Sequence, residues 1–195
     1  MKQDTKQAIL QATIRLLEAP DSRLMDTPVR DICKAAGTSV SQINYHFQTK
    51  ENLIAQCVQA MIGDVIQKFG EVSAAVIKPT AQEKLKRLLE INLDFLFKNE
   101  NISRISILTD HQNPGDNDNT AQTIRAYLPL VVGALAERGL RRDPLMVTST
   151  MIFGIQVAFL RADRLRKETG VNLRDENDAR RWLSDYVDLL FGISP

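Results

Sequence analysis

The sequence predicts an all-α protein of about nine helices, a three-helix head at the N-terminus followed by a longer helical bundle. Three observations predict it. Apolar residues recur three and four positions apart through most long segments, the spacing of one helical face. Capping boxes, a small hydroxyl or amide residue followed three later by Gln or Glu, open several of these segments. Gly and Pro punctuate them, closing helices or marking their first residue.

The first helix is expected from about Lys6 to Ala19, with Asp4 and Gln7 as its capping box and Ile9, Ala12, Leu16 and Leu17 as its stripe. Pro20 and Asp21 stop it. Thr27 caps the second helix and Pro28 takes its first position, where no amide donor is needed. Val29, Ile32 and Ala36 form one buried face, and Gly37 ends the helix because it takes positive φ without a Cβ penalty. Ser39 and Gln42 open a short third helix, held to the core by Ile43 and Phe47. Thr49 caps a long fourth helix to about Phe69, with Leu53, Ile54, Cys57, Val58, Met61, Ile62, Val65, Ile66 and Phe69 in adjacent pairs every four residues. That stripe outlasts the small head, so its far end must pack elsewhere. The expected domains are therefore 1–50, continuing into a linking helix over 50–69, and 51–195.

Gly70 to Pro79 is expected to break the chain, and Thr80 with Glu83 opens the fifth helix. Leu85, Leu88, Leu89, Ile91, Leu93, Phe95, Leu96 and Phe97 make it apolar nearly all round, the pattern of a central helix. Asn92 within it either bonds a neighbouring backbone or lines a cavity. A short sixth helix spans Ile102 to His111, and the run from Gln112 to Asp118 is a loop. Asn119 and Gln122 cap the seventh helix, which passes Pro129 and closes at Gly139. Asp143 and Pro144 start the eighth, where Thr150, Gly154, Ala158 and Ala162 form a ridge of small side chains that admits a close neighbour. Its other surface carries Ile152, Ile155 and Phe159. The last helix, about Asp175 to Phe191, has Trp182, Tyr186 and Leu189 on one face and Leu183, Val187 and Leu190 on the next. Two closing helices apolar on more than one face need a second partner, and a symmetric homodimer is the economical one. Thr150, Gly154, Ala158, Trp182, Tyr186 and Leu189 are its candidate interface.

The third helix leaves Ser39, Val40, Ser41, Gln42, Tyr45 and His46 facing outward. Short or flat side chains with hydrogen-bonding tips, plus one apolar group for a thymine methyl, suit the major groove of DNA. Lys50 follows, placed to meet a phosphate. Taken alone, a Gly turn and a capping box also fit an ordinary helical hairpin. The residues Val29 to Ser39, then Ile43-Asn44-Tyr45-His46-Phe47, then Lys50-Glu51-Asn52-Leu53 resemble the TetR family of bacterial transcriptional regulators. The resemblance covers about a quarter of the chain, with Gly, Tyr-His-Phe and Lys-Glu-x-Leu in one register. Asn44 stands where that family often has Tyr, and Cys33 replaces a usual Ala as a small core residue.

The resemblance implies a dimer on double-stranded operator DNA. Arg30 and Lys50 would position the backbone, while Gln42, Tyr45 and His46 would read or flank bases; Ser39, Val40, Ser41 and Asn44 complete the candidate DNA-binding set. Lys2 and Lys6 are further candidates for phosphates. It also implies a small organic ligand bound among helices four to eight, which moves helix four and releases the DNA, making the protein a repressor. Leu88, Asn92, Phe95, Leu96 and His111 are the candidate pocket residues.

Composition bounds the rest. At 195 residues, 44% hydrophobic and 25% charged, the chain is an ordinary globular protein, and a net charge of +1 argues against indiscriminate coating of nucleic acid. Cys33 and Cys57 lie in helical stripes as packing residues, consistent with a reducing cytoplasm. The polar N-terminus carries no signal peptide, and the uncharged run from Pro144 to Leu160 is a buried helix rather than a membrane span. His46 and His111 are the two histidines; with no His-Glu-x-x-His, Cys-x-x-Cys or phosphate-binding Gly-Lys loop, no metal, cofactor or enzyme activity is expected. The rival reading is a helical small-molecule-binding protein or enzyme that keeps the hairpin only as scaffold.

Overall fold

In the computed structural model of the chain, the described residues are 2–17, 28–73 and 79–192, with side chains described for all of these except 2–4 and 62–73. Among them are ten helices: α1 (Lys2–Leu17), α2 (Val29–Ala36), α3 (Val40–Phe47), α4 (Lys50–Ser73), α5 (Ala81–Lys98), α6 (Glu100–Gln112), α7 (Asn119–Glu137), α8 (Pro144–Leu160), α9 (Ala162–Thr169) and α10 (Glu176–Phe191). They divide into two compact units, one of Met1–Ile66 with Asn99–Pro114, the other of Gln67–Lys98 with Gly115–Pro195.

The first unit holds α1 to α3, most of α4, and α6. Ile9, Leu10, Ala12 and Leu17 of α1 are buried, as are Ile32 and Cys33 of α2 and Ile43 and Phe47 of α3. Leu53, Ile54, Cys57, Val58 and Met61 of α4 join them, in the adjacent pairs the sequence predicts. Leu16 is only half-buried, because Thr13 takes the inward position beside Ile9 and donates its hydroxyl to the Ile9 carbonyl at 2.8 Å. The helix also starts at Lys2, so Asp4 lies within its first turn rather than ahead of it as a cap. Helix α2 starts at Val29 with Pro28 at its N-cap, one position later than expected; Thr27, the stop at Pro20 and the side-chain stripe from Ile62 to Phe69 fall outside the described residues. Helix α4 continues through Gly70 to Ser73, beyond the expected break; one helical Gly costs only about 1 kcal/mol against Ala.

In the second unit α5 contacts α7, α8 and α10, while α8 contacts α5, α7, α9 and α10. The capping box of α5 is present in both directions: Thr80 N–H donates to Glu83 Oε2 at 2.8 Å, and Glu83 N–H to Thr80 Oγ1 at 3.1 Å. Glu137 of α7 adds a second cap, accepting from Ala81 N–H at 2.9 Å. Asp118, not Asn119, caps α7, accepting from Ala121 N–H at 2.7 Å. Asn119 is the first helical residue and is buried, so its side chain faces inward instead of back to the helix start. Asp143 caps α8 as expected, and Asp175 caps α10.

The small-residue ridge does not run on through Ala162. The chain turns at Arg161 and α9 leaves α8 at 84°, which accounts for ten helices rather than nine. The apolar run ends at Leu160, and the charged segment that follows turns away from the core. No single helix among the described residues is long and apolar enough to cross a membrane.

Candidate nucleic-acid interface

The hairpin is built by its turn. Gly37 sits at φ 60°, ψ 36°, and Thr38 N–H returns to the Cys33 carbonyl at 2.9 Å, closing the last turn of α2. Two residues later Ser39 Oγ accepts from Gln42 N–H at 3.4 Å and lies 2.8 Å from Ser41 Oγ. The start of α3 is thus set by its own side chains, as the sequence predicts. Ile43 and Phe47, four apart, are fully buried and hold one face of α3 down.

What remains outward is the predicted set. Ser39, Val40, Ser41, Gln42 and Asn44 are exposed, Tyr45 is 64% exposed, and His46 is half-buried with its ring edge-on to Tyr45 at 5.0 Å. Arg30 is exposed on α2, and Lys50 opens α4, half-buried. Over residues 1–57 the sequence carries Lys2, Lys6, Arg15, Arg23, Arg30, Lys34 and Lys50 against Asp4, Glu18, Asp21, Asp26, Asp31 and Glu51, so attraction to phosphate rests on where Arg30 and Lys50 stand rather than on bulk charge.

Sequence reasoning missed how α3 is joined to α4. Gln48 takes φ 64°, ψ −52°, and Thr49 N–H donates to the Phe47 carbonyl at 2.7 Å, a tight γ-turn. The same carbonyl accepts from Asn52 Nδ2 at 2.8 Å, while Thr49 Oγ1 caps α4 through Asn52 N–H at 3.1 Å. Lys6 adds its ammonium 5.6 Å from the Phe47 ring centre. Thr49 was legible as a cap; a non-Gly residue at positive φ has no sequence signal beyond the shortness of the junction. Both cysteines are packing residues. Burial raises both thiols, Cys57 to about 12, and Cys57 Sγ donates to the Leu10 carbonyl at 3.8 Å.

Four of the candidate pocket residues, Leu88, Asn92, Phe95 and Leu96, lie on α5, and the fifth, His111, lies on α6. Leu88 and Leu96 are buried in the second unit, Phe95 is half-buried, and His111 is exposed on α6 in the first unit. Asn92 hydrogen-bonds the hydroxyl of buried Tyr127, which also donates to the Leu88 carbonyl at 3.1 Å. Asn92 therefore ties α5 to α7 through a side chain. A different cleft, of about 430 Å³, opens between α5 and the start of α10 and includes Arg87, Ile91, Phe97, Leu173 and Arg180. Its residues come from sequence-distant segments, so no local spacing announces it.

The candidate dimer residues lie on α8 and α10. Thr150 is exposed, Leu189 is 72% exposed, and Trp182 stacks on Tyr186 with centroids 5.1 Å apart. Ala158 is half-buried. Gly154 does admit a close neighbour, but that neighbour is this chain's own Tyr186, whose hydroxyl donates to the Thr150 carbonyl at 2.9 Å. The exposed face of α8 is instead Met146, Thr150, Phe153 and Val157, spaced four, three and four apart.

Comparison with known proteins agrees with the hairpin and with the architecture. Residues 9–57 match the sequence profile of the bacterial regulatory proteins of the tetR family. The fold is similar to a TetR transcription regulator from Haloarcula marismortui ATCC 43049 (TM-score 0.65, 19% identity, covering 96% of this chain and 98% of that one). It is also similar to a protein of Mesorhizobium loti MAFF303099 described as a TetR-family transcriptional regulator (TM-score 0.57, 20% identity, 99% and 98% covered). Comparison with curated proteins found no match.

Proposed function

We propose that this chain, which carries the sequence motif and the fold of the TetR-family transcriptional regulators, is a homodimeric repressor of operator DNA released by a small organic ligand. One observation carries the reading. A helix anchored by Ile43 and Phe47 presents Gln42, Tyr45 and the neighbouring short side chains to solvent, inside the segment that matches the family. Gln42 can pair with an adenine edge and Val40 can touch a thymine methyl. Arg30 and Lys50 supply charge to phosphates and so position the hairpin without reading sequence. TetR-family regulators are not enzymes, and this reading assigns no catalytic residue. Its place of action is the cytoplasm, with the DNA.

Two heads on one duplex require two chains, and the exposed apolar face of α8 with Leu189 and Trp182 of α10 supplies a surface for the second. The ligand acts by preferring one separation of the heads; each ~1.4 kcal/mol of that preference changes DNA affinity tenfold. Selection of bound duplexes from a random pool tests the whole reading. The expected product is an inverted repeat with half-sites about one helical turn (~34 Å) or a simple multiple apart. A pool that stays unenriched, or that yields an unrepeated site, overturns it.

A further inference from the structure

We infer that the cleft between α5 and the start of α10 is a binding site for an amphipathic organic carboxylate, with Arg87 as the group that receives the carboxylate. Its volume, about 430 Å³, falls within the range of small-molecule sites. Ile91, Phe97 and Ala179 are half-buried along it, above the buried Leu93 and Leu173. The Phe97 ring is held in place, with the Arg174 guanidinium 5.0 Å from its centre and Phe159 at 5.1 Å in an edge contact. This makes a fixed apolar wall for the body of a ligand.

Charge bookkeeping along the rim selects the sign of the head group. Every carboxylate that lines the cleft is already engaged. Glu90 pairs with Arg180 at 3.6 Å, Asp94 with Lys98 at 2.7 Å, and Glu176 with Arg180 at 2.7 Å. Asp175 accepts from the Asn177 and Asp178 amides, each at 3.0 Å. Arg174 is matched by Asp163 at 2.8 Å. Arg87 is exposed, and no carboxylate among the described residues lies within ion-pair distance of it. Among the cations that line the cleft, Arg87 is the one with no carboxylate at ion-pair distance among the described residues, and its planar fork matches a carboxylate. A cationic ligand would have to compete with an existing ion pair or with the amides that hold Asp175; an anionic one at Arg87 need not.

This inference deepens the ligand-responsive reading and rests on it only for the ligand's purpose, since binding is measured without DNA. Titration calorimetry of the full-length protein with decanoate, decanol and decylammonium separates head group from body. Decanoate is expected to bind saturably, one per chain, about tenfold or more tighter than decylammonium. R87Q should lose that advantage and leave decanol unchanged. R87E should reverse the preference in favour of decylammonium, a gain that an unfolded variant cannot show. F97A should weaken decanoate and decanol alike. Equal affinities for the three probes, or decanoate binding that ignores R87Q and R87E, would overturn the inference while leaving the operator selection untouched.

Discussion

Helix α3 and the α8–α10 pair each keep part of their surface in water, with opposite chemistry. On α3 the outward residues are Ser39, Val40, Ser41, Gln42, Asn44 and Tyr45, short or flat groups with hydrogen-bonding tips. On α8 the outward face is Met146, Phe153 and Val157 around Thr150, and α10 adds Leu189; these four apolar side chains can offer water nothing. The first surface is soluble alone and gains by meeting base edges; the second gains only by being covered. The way each is anchored differs as well. The α3 face rests on two buried side chains and a braced γ-turn, whereas the α8–α10 face is stitched together by Tyr186 lying over Gly154. A rigid short helix suits groove reading; a broad apolar face suits a partner of the same kind.

The largest expected effect breaks the second surface. Val157→Asp places a charge on the α8 face and should cost the assembly about 2 kcal/mol or more, leaving single chains by light scattering and abolishing operator binding. If the variant stays dimeric, the apolar face is not the interface. Tyr45→Ala breaks the first surface and should weaken specific binding by about 1–3 kcal/mol while thermal stability is unchanged. A loss shared equally by random duplexes would reassign Tyr45 to the backbone. Gly154→Ala sharpens the comparison from inside. Its Cβ would lie 2.0 Å from the Tyr186 hydroxyl, so the ring must swing out, at about 1–3 kcal/mol of stability, visible as a lower Tm. An unchanged Tm would mean that Tyr186 moves freely.

Smaller effects test the anchors. Ser39→Ala removes the cap of α3 and should cost about 1 kcal/mol, read as a lower denaturation midpoint with a proportionate loss of DNA affinity. The smallest is a pH effect in the second unit. The amide and hydroxyl of Thr80 hold the Glu83 carboxyl below its ordinary value. A carboxylate with a depressed folded pKa contributes stability that is present above the unfolded pKa and lost as pH falls through the folded one. Stability should therefore decline on acidification through the carboxylate range, and Glu83→Gln should flatten that decline slightly. An identical acid profile for both proteins would assign the slope to other groups.

Much of this was legible because it is local. The Gly37 turn, the Ser39 cap, the Thr80–Glu83 box and the Asp143 cap each involve neighbours within one helical turn, so residue order alone specifies them. The inward faces of α3 and α4 followed from spacing for the same reason. Misreadings arose where two elements compete for one residue. Asn119 has the chemistry of a cap, yet Asp118 takes that role and Asn119 is buried. Asn92, read from sequence as either bonding a backbone or lining a cavity, is hydrogen-bonded to a side chain, Tyr127 of α7.

The sequence by itself determined the all-α class, the hairpin and the identity of its outward side chains, because helical periodicity and capping are settled within a few residues. Only the tertiary structure decided where α8 turns into α9, which side chain fills the space above Gly154, and which charges line the α5–α10 cleft. Those outcomes depend on which helices become neighbours. Residues far apart in the chain then share one site, and no spacing along the backbone encodes that choice.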